Sequence, residues 1–297
     1  MKATVLPAFL LIASIVAVSC EEYIPVNLSG PEKMLVVNAL MSTGDTVHTA
    51  YAGISLHSET KRLDSGHLEC WVNGSLSAMS DTLVRKNGTV YHNAFLFKAD
   101  FEAGDEVVVV VEAGGMRAEA KTTAPGAPVL AAVDTVHMAR TTSDGDVAET
   151  LGLGIHVKDR PVEKNYYMLQ AWGRGGNSDR LLEMDNSMDP LLNSGLKVNY
   201  GEGPDFFSNG YNIFTDEGFE GKTHIFKVSV SKGWHNGVKV RLLALDRNTY
   251  EYINSVWFEE SGFKASYLLA DKPYPANVTG DGIGLVSVMT SCDYLID

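Results

Sequence analysis

Short apolar runs separated by turn residues leave this chain little option but antiparallel sheet. Asn73-Gly74 follows the run 67–72, and Asn87-Gly88 lies between Thr82-Leu83-Val84 and Thr89-Val90-Tyr91. Asn-Gly supplies the positive-φ pair of a two-residue hairpin turn, and between apolar runs it is the strongest short-range hairpin signal. Further strand-length runs fall at 34–37, 46–56, 95–97, 106–112 and 117–123. About seven strands at this spacing is the rhythm of a β-sandwich. Residues 32–124 are therefore read as an Ig-like β-sandwich.

Ala124-Pro125-Gly126-Ala127-Pro128 breaks the pattern and suits a linker. Strand runs resume at 129–138, 151–157, 165–172, 224–230 and 239–245. Within 246–261 the period changes: Tyr250, Ile253, Val256 and Trp257 fall on one helical face. Asp246 or Asn248 is placed to cap that helix and Gly262 to end it. A closing hairpin is read from Ala276 through Gly280-Asp281-Gly282 into 285–289 and Tyr294. The expected fold class is all-β, with the N-terminal sandwich followed, over 129–297, by a second β-rich, sandwich-like domain carrying one main α-helix.

The first residues have a different character. Lys2 precedes an apolar run from Val5 to Val18, and Ser19-Cys20 is followed directly by Glu21-Glu22. A charged start, a short apolar core and small residues at its end are the parts of a secretory signal. The run is shorter than the ~20 apolar residues of a membrane-spanning helix. Ala17-Val18-Ser19-Cys20 resembles a lipobox, the site where bacterial processing acylates the cysteine and cuts before it, with Ala17 where Leu is commoner. The reading is a signal peptide over 1–19, lipidation at Cys20 and a polar tether over 20–31 that contains Pro25, Gly30 and Pro31. The longest later β-branched run, Val107–Val111, is strand-sized, so the lipid is the expected membrane anchor.

Charge narrows the partners. The chain carries a net charge of −13, and removal of 1–19 takes away only Lys2 among charged groups. An acidic body repels nucleic acid and anionic lipid, so no nucleic-acid partner is expected. With Cys20 consumed by lipid, Cys70 and Cys292 remain in an oxidising compartment. A Cys70–Cys292 disulfide and two separate buried thiols both stay open, because spacing does not fix connectivity.

The 8 histidines form neither His-x-His nor His-Glu-x-x-His, so zinc lacks its usual spacing and no metal or cofactor is expected. Ser58-x-x-Lys61 and Ser229-x-x-Lys232 match one element of penicillin-binding enzymes without its partners. Gly280-x-Gly282-x-Gly284 is not followed by a helix, which excludes a dinucleotide loop and leaves a tight turn. Asp144 and Asp146, with Asp185, Asp189 and Asp205, read as solvated acidic loops in preference to a calcium site. Trp172, Tyr200, Phe206, Phe207 and Tyr211 flank or lie within the polar, Gly-rich stretch 173–212. Aromatics there either contact a ligand or partner, or pin the loop to the core.

Five segments in order carry a resemblance. They are Lys33-Met34-Leu35-Val36-Val37-Asn38-Ala39, Asn165-Tyr166-Tyr167, the Phe-x-Asp-x-x-Phe-x-Gly turn of Phe214, Asp216, Phe219 and Gly221, Tyr250-Glu251-Tyr252, and the closing stretch from Pro273 through Asn277-Val278 to Gly282-Ile283-Gly284. Together they resemble a family of Bacteroidota outer-membrane lipoproteins classed as a domain of unknown function, often encoded beside TonB-dependent receptors. In that group acidic residues after the lipidated cysteine direct lipoproteins to the cell exterior, and Glu21-Glu22 resembles that signal. Asp45-Thr46-Val47, Asp81-Thr82-Leu83 and Asp134-Thr135-Val136 resemble the group's O-glycosylation pattern, at Thr46, Thr82 and Thr135. The resemblance implies an outer-membrane protein, lipid-anchored and facing the exterior. It implies a non-enzymatic binding or accessory component associated with TonB-dependent uptake or envelope interactions, whose partners are a receptor or an extracellular glycan or protein. The alternatives are a glycan-acting enzyme using carboxylates of the 173–212 region, and an adhesin or structural module.

Overall fold

The structure is a computed structural model and describes residues 33–297 apart from 57–58, 62, 82, 86–92, 142–146, 162, 176–178, 193–211, 232–235, 261–274 and 297. Its first strands are β1 (Met34–Ser42), β2 (Val47–Leu56), β3 (Glu59–Lys61), β4 (His67–Val72), β5 (Ser75–Ser80), β6 (Leu83–Arg85), β7 (Asn93–Lys98), β8 (Glu106–Ala113) and β9 (Met116–Thr123). After the Pro/Gly seam come β10 (Val129–Thr141), β11 (Val147–Lys158), β12 (Tyr166–Gly173), β13 (Arg180–Leu182), β14 (Met184–Asp185), β15 (Asn212–Thr215), β16 (Thr223–Ser231) and β17 (Val238–Leu245). Helix α1 (Arg247–Glu260) precedes β18 (Val278–Gly280), β19 (Gly282–Ile283) and β20 (Val286–Ile296). The protein is all-β with sandwich-like sheets, as the strand rhythm requires.

Period-2 alternation places the core. Leu35, Val37, Ala39 and Met41 of β1 point inward, at most 1% exposed, while their even-numbered neighbours lie on the other face of the strand. They meet Ala50, Ala52 and Ile54 of β2 and Phe95 and Phe97 of β7. Across the layer lie Leu68 and Cys70 of β4, the alternate valines Val107, Val109 and Val111 of β8, and Ala118 and Ala120 of β9. Each large apolar side chain buried this way contributes about 1.5–3 kcal/mol. A second core joins Tyr167, Leu169 and Ala171 of β12 and Val240 and Leu242 of β17 to Ile155, Val157, Phe226 and Val228 of β11 and β16.

Both cores share one sheet of 11 strands, whose main path runs β13-β12-β17-β20-β1-β2-β7-β6. A five-stranded sheet (β18-β9-β8-β4-β5) covers one part of it and a four-stranded sheet (β10-β11-β16-β14) covers the other. The strand that joins the two is β20. Its first residues pair parallel with β1, Ala39 opposite Val286, and its later ones antiparallel with β17, Ala244 opposite Thr290. Residues Lys33–Asp297 accordingly form one compact unit, and the seam at 124–128 lies inside it. The Thr290 hydroxyl donates to the Pro125 carbonyl at 2.5 Å, so β20 also fastens the seam.

The closing hairpin read from Ala276 into 285–289 is not formed: β18 joins β9 in the five-stranded sheet, whereas β19 and the start of β20 run parallel to β1 in the large one. The glycines serve this crossing. A Cβ on Gly280 would lie 2.7 Å from the Arg117 carbonyl oxygen, and one on Gly284 would lie 2.0 Å from that of Val37. Both have positive φ, +81° and +135°. They let the chain pass between sheets at backbone contact distance. The first Asn-Gly turn is a hairpin turn as read, with φ of 50° at Asn73 and 78° at Gly74. Asn87-Gly88 lies outside the described residues.

Candidate functional site

Helix α1 lies on the outer face of the large sheet. The Asp246 carboxylate accepts from the Thr249 N–H at 2.7 Å and from the Ser287 hydroxyl at 3.1 Å. The first bond is an N-cap and contributes about 1 kcal/mol; the second ties the cap to β20. Ile253 then packs on Met168, Leu243 and Met289. This docking holds Tyr250 against Tyr166 of β12, ring centroids 5.0 Å apart and inclined at 41°.

The two tyrosines stand in a cleft of about 580 Å³. Ile213, Phe214, Thr215 and Leu191 line it with them, and Lys164, Glu217, Arg247 and Glu251 complete the wall. The charges are matched: Arg247 Nε lies 2.7 Å from Glu251 Oε1, one helical turn along α1, and Lys164 Nζ lies 4.0 Å from Glu217 Oε2. Burial raises the Tyr250 phenol above its ordinary pKa, with the neighbouring Tyr166 and Glu217 adding to the effect.

Beside the cleft, where β12 begins and β15 ends, is a buried polar knot. Asn165 donates from its backbone N to Asp216 Oδ2 at 2.7 Å and from its amide to Asp159 Oδ1 at 3.1 Å. Tyr167 OH donates to the same Asp159 oxygen at 2.9 Å, and Gly221 N donates to the other at 2.8 Å. Asp159, Asn165 and Asp216 are all nearly inaccessible, so these bonds are what makes their burial tolerable. Tyr167, Phe214, Phe219 and Phe226 pack ring against ring beside the knot, Tyr167 and Phe214 stacked and Phe219 edge-on to Phe226. The Phe-x-Asp-x-x-Phe-x-Gly turn thus has a physical explanation: two rings for the core, a carboxylate for the knot, and at Gly221 a φ of +66°.

A family model described as a domain of unknown function, DUF4249, matches residues 21–293. The chain belongs to the DUF4249 family. No curated protein matches it. In this DUF4249 chain three of the five motif segments, Asn165-Tyr166-Tyr167, Phe214–Gly221 and Tyr250-Glu251-Tyr252, are far apart in sequence and meet at the cleft and its supporting knot.

The other candidate residues are distributed as follows. Cys20, Glu21 and Glu22 lie outside the described residues, as do Tyr200, Phe206, Phe207 and Tyr211 and the acidic Asp144, Asp146 and Asp205. Trp172 sits at the far end of β12 from Tyr166. It donates from Nε1 to Gln170 at 3.3 Å, and Lys239 Nζ lies 5.6 Å from its ring centre. It lines a separate pocket of about 250 Å³ with Arg241, Asp45 and Asp179. Asp189 is a clasp: its carboxylate accepts from Leu191 N at 3.0 Å and Lys227 N at 3.0 Å, and is buried. Asp185 accepts from Ser187 N at 3.0 Å. Ser229 is buried on β16, and Ser58 lies outside the described residues.

Cys70 and Cys292 are separate free thiols. Cys70 faces the first core, and burial pushes its pKa up to about 12. Thr46 and Thr135 are exposed, while Thr82 is outside the described residues. Among the described residues no group of three His, Cys, Asp or Glu side chains could hold a metal ion, and no helix is long and apolar enough to cross a membrane.

Arg247, Glu217, Lys164 and Asp159 were not singled out from sequence. The first three are ordinary surface charges until the fold sets them around the tyrosines. The one available signal was Asp216, the polar residue of the aromatic turn.

Proposed function

We propose that this DUF4249 chain is a surface-exposed outer-membrane lipoprotein that binds a ligand or partner without transforming it, as an accessory to a TonB-dependent receptor. The observation that carries the binding role is the convergence of three separated segments of the chain on one open cleft. Pockets of about 300–1,000 Å³ with a few convergent polar groups are the usual form of a binding site. The knot supports the same reading, because strands β12 and β15, which carry Tyr166 and Thr215, are tied together by buried hydrogen bonds before any ligand arrives. The apolar run from Val5 to Val18, followed by Ser19-Cys20, supports the lipid anchor, and Glu21-Glu22 supports the exterior address.

The test is a pull-down of the full-length lipoprotein from gently solubilised outer membrane, with protease treatment of intact cells alongside. The reading expects co-purification of a TonB-dependent receptor and digestion by external protease. Recovery without a receptor removes the accessory role. Protection from external protease removes surface exposure. A Cys20→Ala protein that still fractionates with membrane as a cleaved species removes the lipid anchor.

A further inference from the structure

The cleft between α1, β12 and β15 has a composition that selects its occupant. Among the described residues the four charged groups on its wall are paired in opposite signs, Arg247 with Glu251 and Lys164 with Glu217. An anionic ligand would compete with Glu251 for Arg247 and meet the repulsion of both glutamates. A cationic one would face Lys164 and Arg247 in the same way. A neutral ligand that both donates and accepts hydrogen bonds can join these groups without separating either pair. The rest of the described lining is Tyr166 and Tyr250, inclined to each other, with Ile213, Phe214, Leu191 and the hydroxyl-bearing Thr215 beside them.

We infer that this cleft binds an uncharged, polyhydroxylated ligand, a segment of neutral glycan, with sugar C–H faces against the Tyr166–Tyr250 pair and hydroxyls on Arg247, Glu251, Lys164 and Glu217. This rests on the binding reading above and names its ligand class. Aromatic rings cover the apolar face of a sugar, and a tyrosine adds a hydroxyl that can hydrogen-bond. Carboxylates and guanidinium or ammonium groups are the acceptors and donors that vicinal hydroxyls need. A peptide is disfavoured: β15, the short strand bordering the cleft, has 4 residues, too few to template an added strand.

The test uses the full-length lipoprotein in mild detergent and a panel of neutral oligosaccharides (maltotriose, cellotriose and mannotriose). A sulfated heparin oligosaccharide, sialyllactose and a random tripeptide pool form the comparison arms, with binding read by saturation-transfer NMR and calorimetry. Saturable binding of a neutral oligosaccharide is expected. It should weaken about tenfold or more in Tyr250→Ala, corresponding to ~1.4 kcal/mol. Tyr250 packs on Tyr166, so each variant is checked for an unchanged circular-dichroism spectrum. Glu217→Gln alters a side chain that is 79% exposed, so the variant's fold is expected to match the wild type; it should weaken binding several-fold. Met79→Ser, on the five-stranded sheet, should leave binding as it was. No neutral oligosaccharide bound by the folded chain, binding only to the charged or peptide arms, or neutral binding untouched by both Tyr250→Ala and Glu217→Gln would each overturn the inference. The receptor pull-down reads the accessory role independently: a receptor recovered without glycan binding leaves that role standing, and glycan binding without a receptor leaves this inference standing.

Discussion

Asn165 and Asp216 hold each other in both directions across 51 residues of chain. Asn165 N donates to Asp216 Oδ2 at 2.7 Å, and Asp216 N donates to the Asn165 carbonyl at 3.2 Å. Both side chains are buried, and the Asn165 amide reaches on to Asp159. The pair fixes the start of β12 to the end of β15, and so sets where Tyr166 stands relative to Thr215 and the cleft.

Asp216→Ala should therefore act on stability and on the cleft together. It leaves the Asn165 N–H buried with no acceptor, a cost of about 1–3 kcal/mol for the group alone. Thermal denaturation should show a Tm lower by several degrees. Asp216→Asn keeps an acceptor oxygen and should recover part of the loss. An unchanged Tm in Asp216→Ala would show that the knot is not what orders this region.

Gly284 and Gly115 make a matched comparison. Both have positive φ, but a Cβ on Gly284 would sit 2.0 Å from the Val37 carbonyl, whereas nothing lies within 4 Å of one on Gly115. Gly115→Ala should cost about 1 kcal/mol, through backbone conformation alone. Gly284→Ala should cost much more, because β1 and the entry to β20 must separate. Urea unfolding of the two variants checks this; equal midpoints would contradict the described crossing.

His48 should make the fold sensitive to acid. Its ring is buried beside Phe97 and Phe101, with Nε2 2.9 Å from the Ala99 carbonyl. Burial lowers its pKa, and the Ala99 contact and the charges of Asp45 and Asp100 only partly oppose that shift. A depressed folded-state pKa means that the unfolded chain binds the proton more readily. The contribution is complete above the unfolded value of about 6.5 and is lost as pH falls below it toward the folded value. Between pH 7 and pH 5 the urea midpoint of the wild type should fall further than that of His48→Gln, which does not titrate. Parallel curves would remove His48 from the pH response.

The two thiols should be distinguishable by reagent. Under native conditions Cys70 should resist a thiolate-selective label, because it is buried and its pKa is pushed up to about 12. Cys292, half-buried on β20, should label faster. In denaturant without reductant both should react. A protein whose two thiols stay blocked until reductant is added carries a disulfide, and β4 and β20 then differ from the arrangement described.

Much of this fold was legible in local chemistry. Period-2 alternation in Met34–Ser42 identifies β1 and its inward face, because a strand leaves a side chain only two directions. Asn73-Gly74 specifies its hairpin, because few other pairs accept positive φ twice. Asp246 caps α1 as its place before the helical period suggested. The apolar run before Cys20 is a local signal too, and needs no fold to be read.

What the sequence could not state is which distant strands meet. Pairing between β20 and both β1 and β17 depends on hydrogen bonds that every backbone offers alike, so no side chain announces it. For the same reason Gly280 and Gly284 look like hairpin residues until the Arg117 and Val37 carbonyls are seen against them. The cleft follows the same logic. Tyr166, Glu217 and Arg247 are each unremarkable on their own element, and only the docking of α1 on β12 and β17 brings them to one wall. Local periodicity decides the elements because it acts over a few residues; the site depends on contacts between residues far apart in the chain, such as Tyr166 and Tyr250, which are selected by the packing of the whole core.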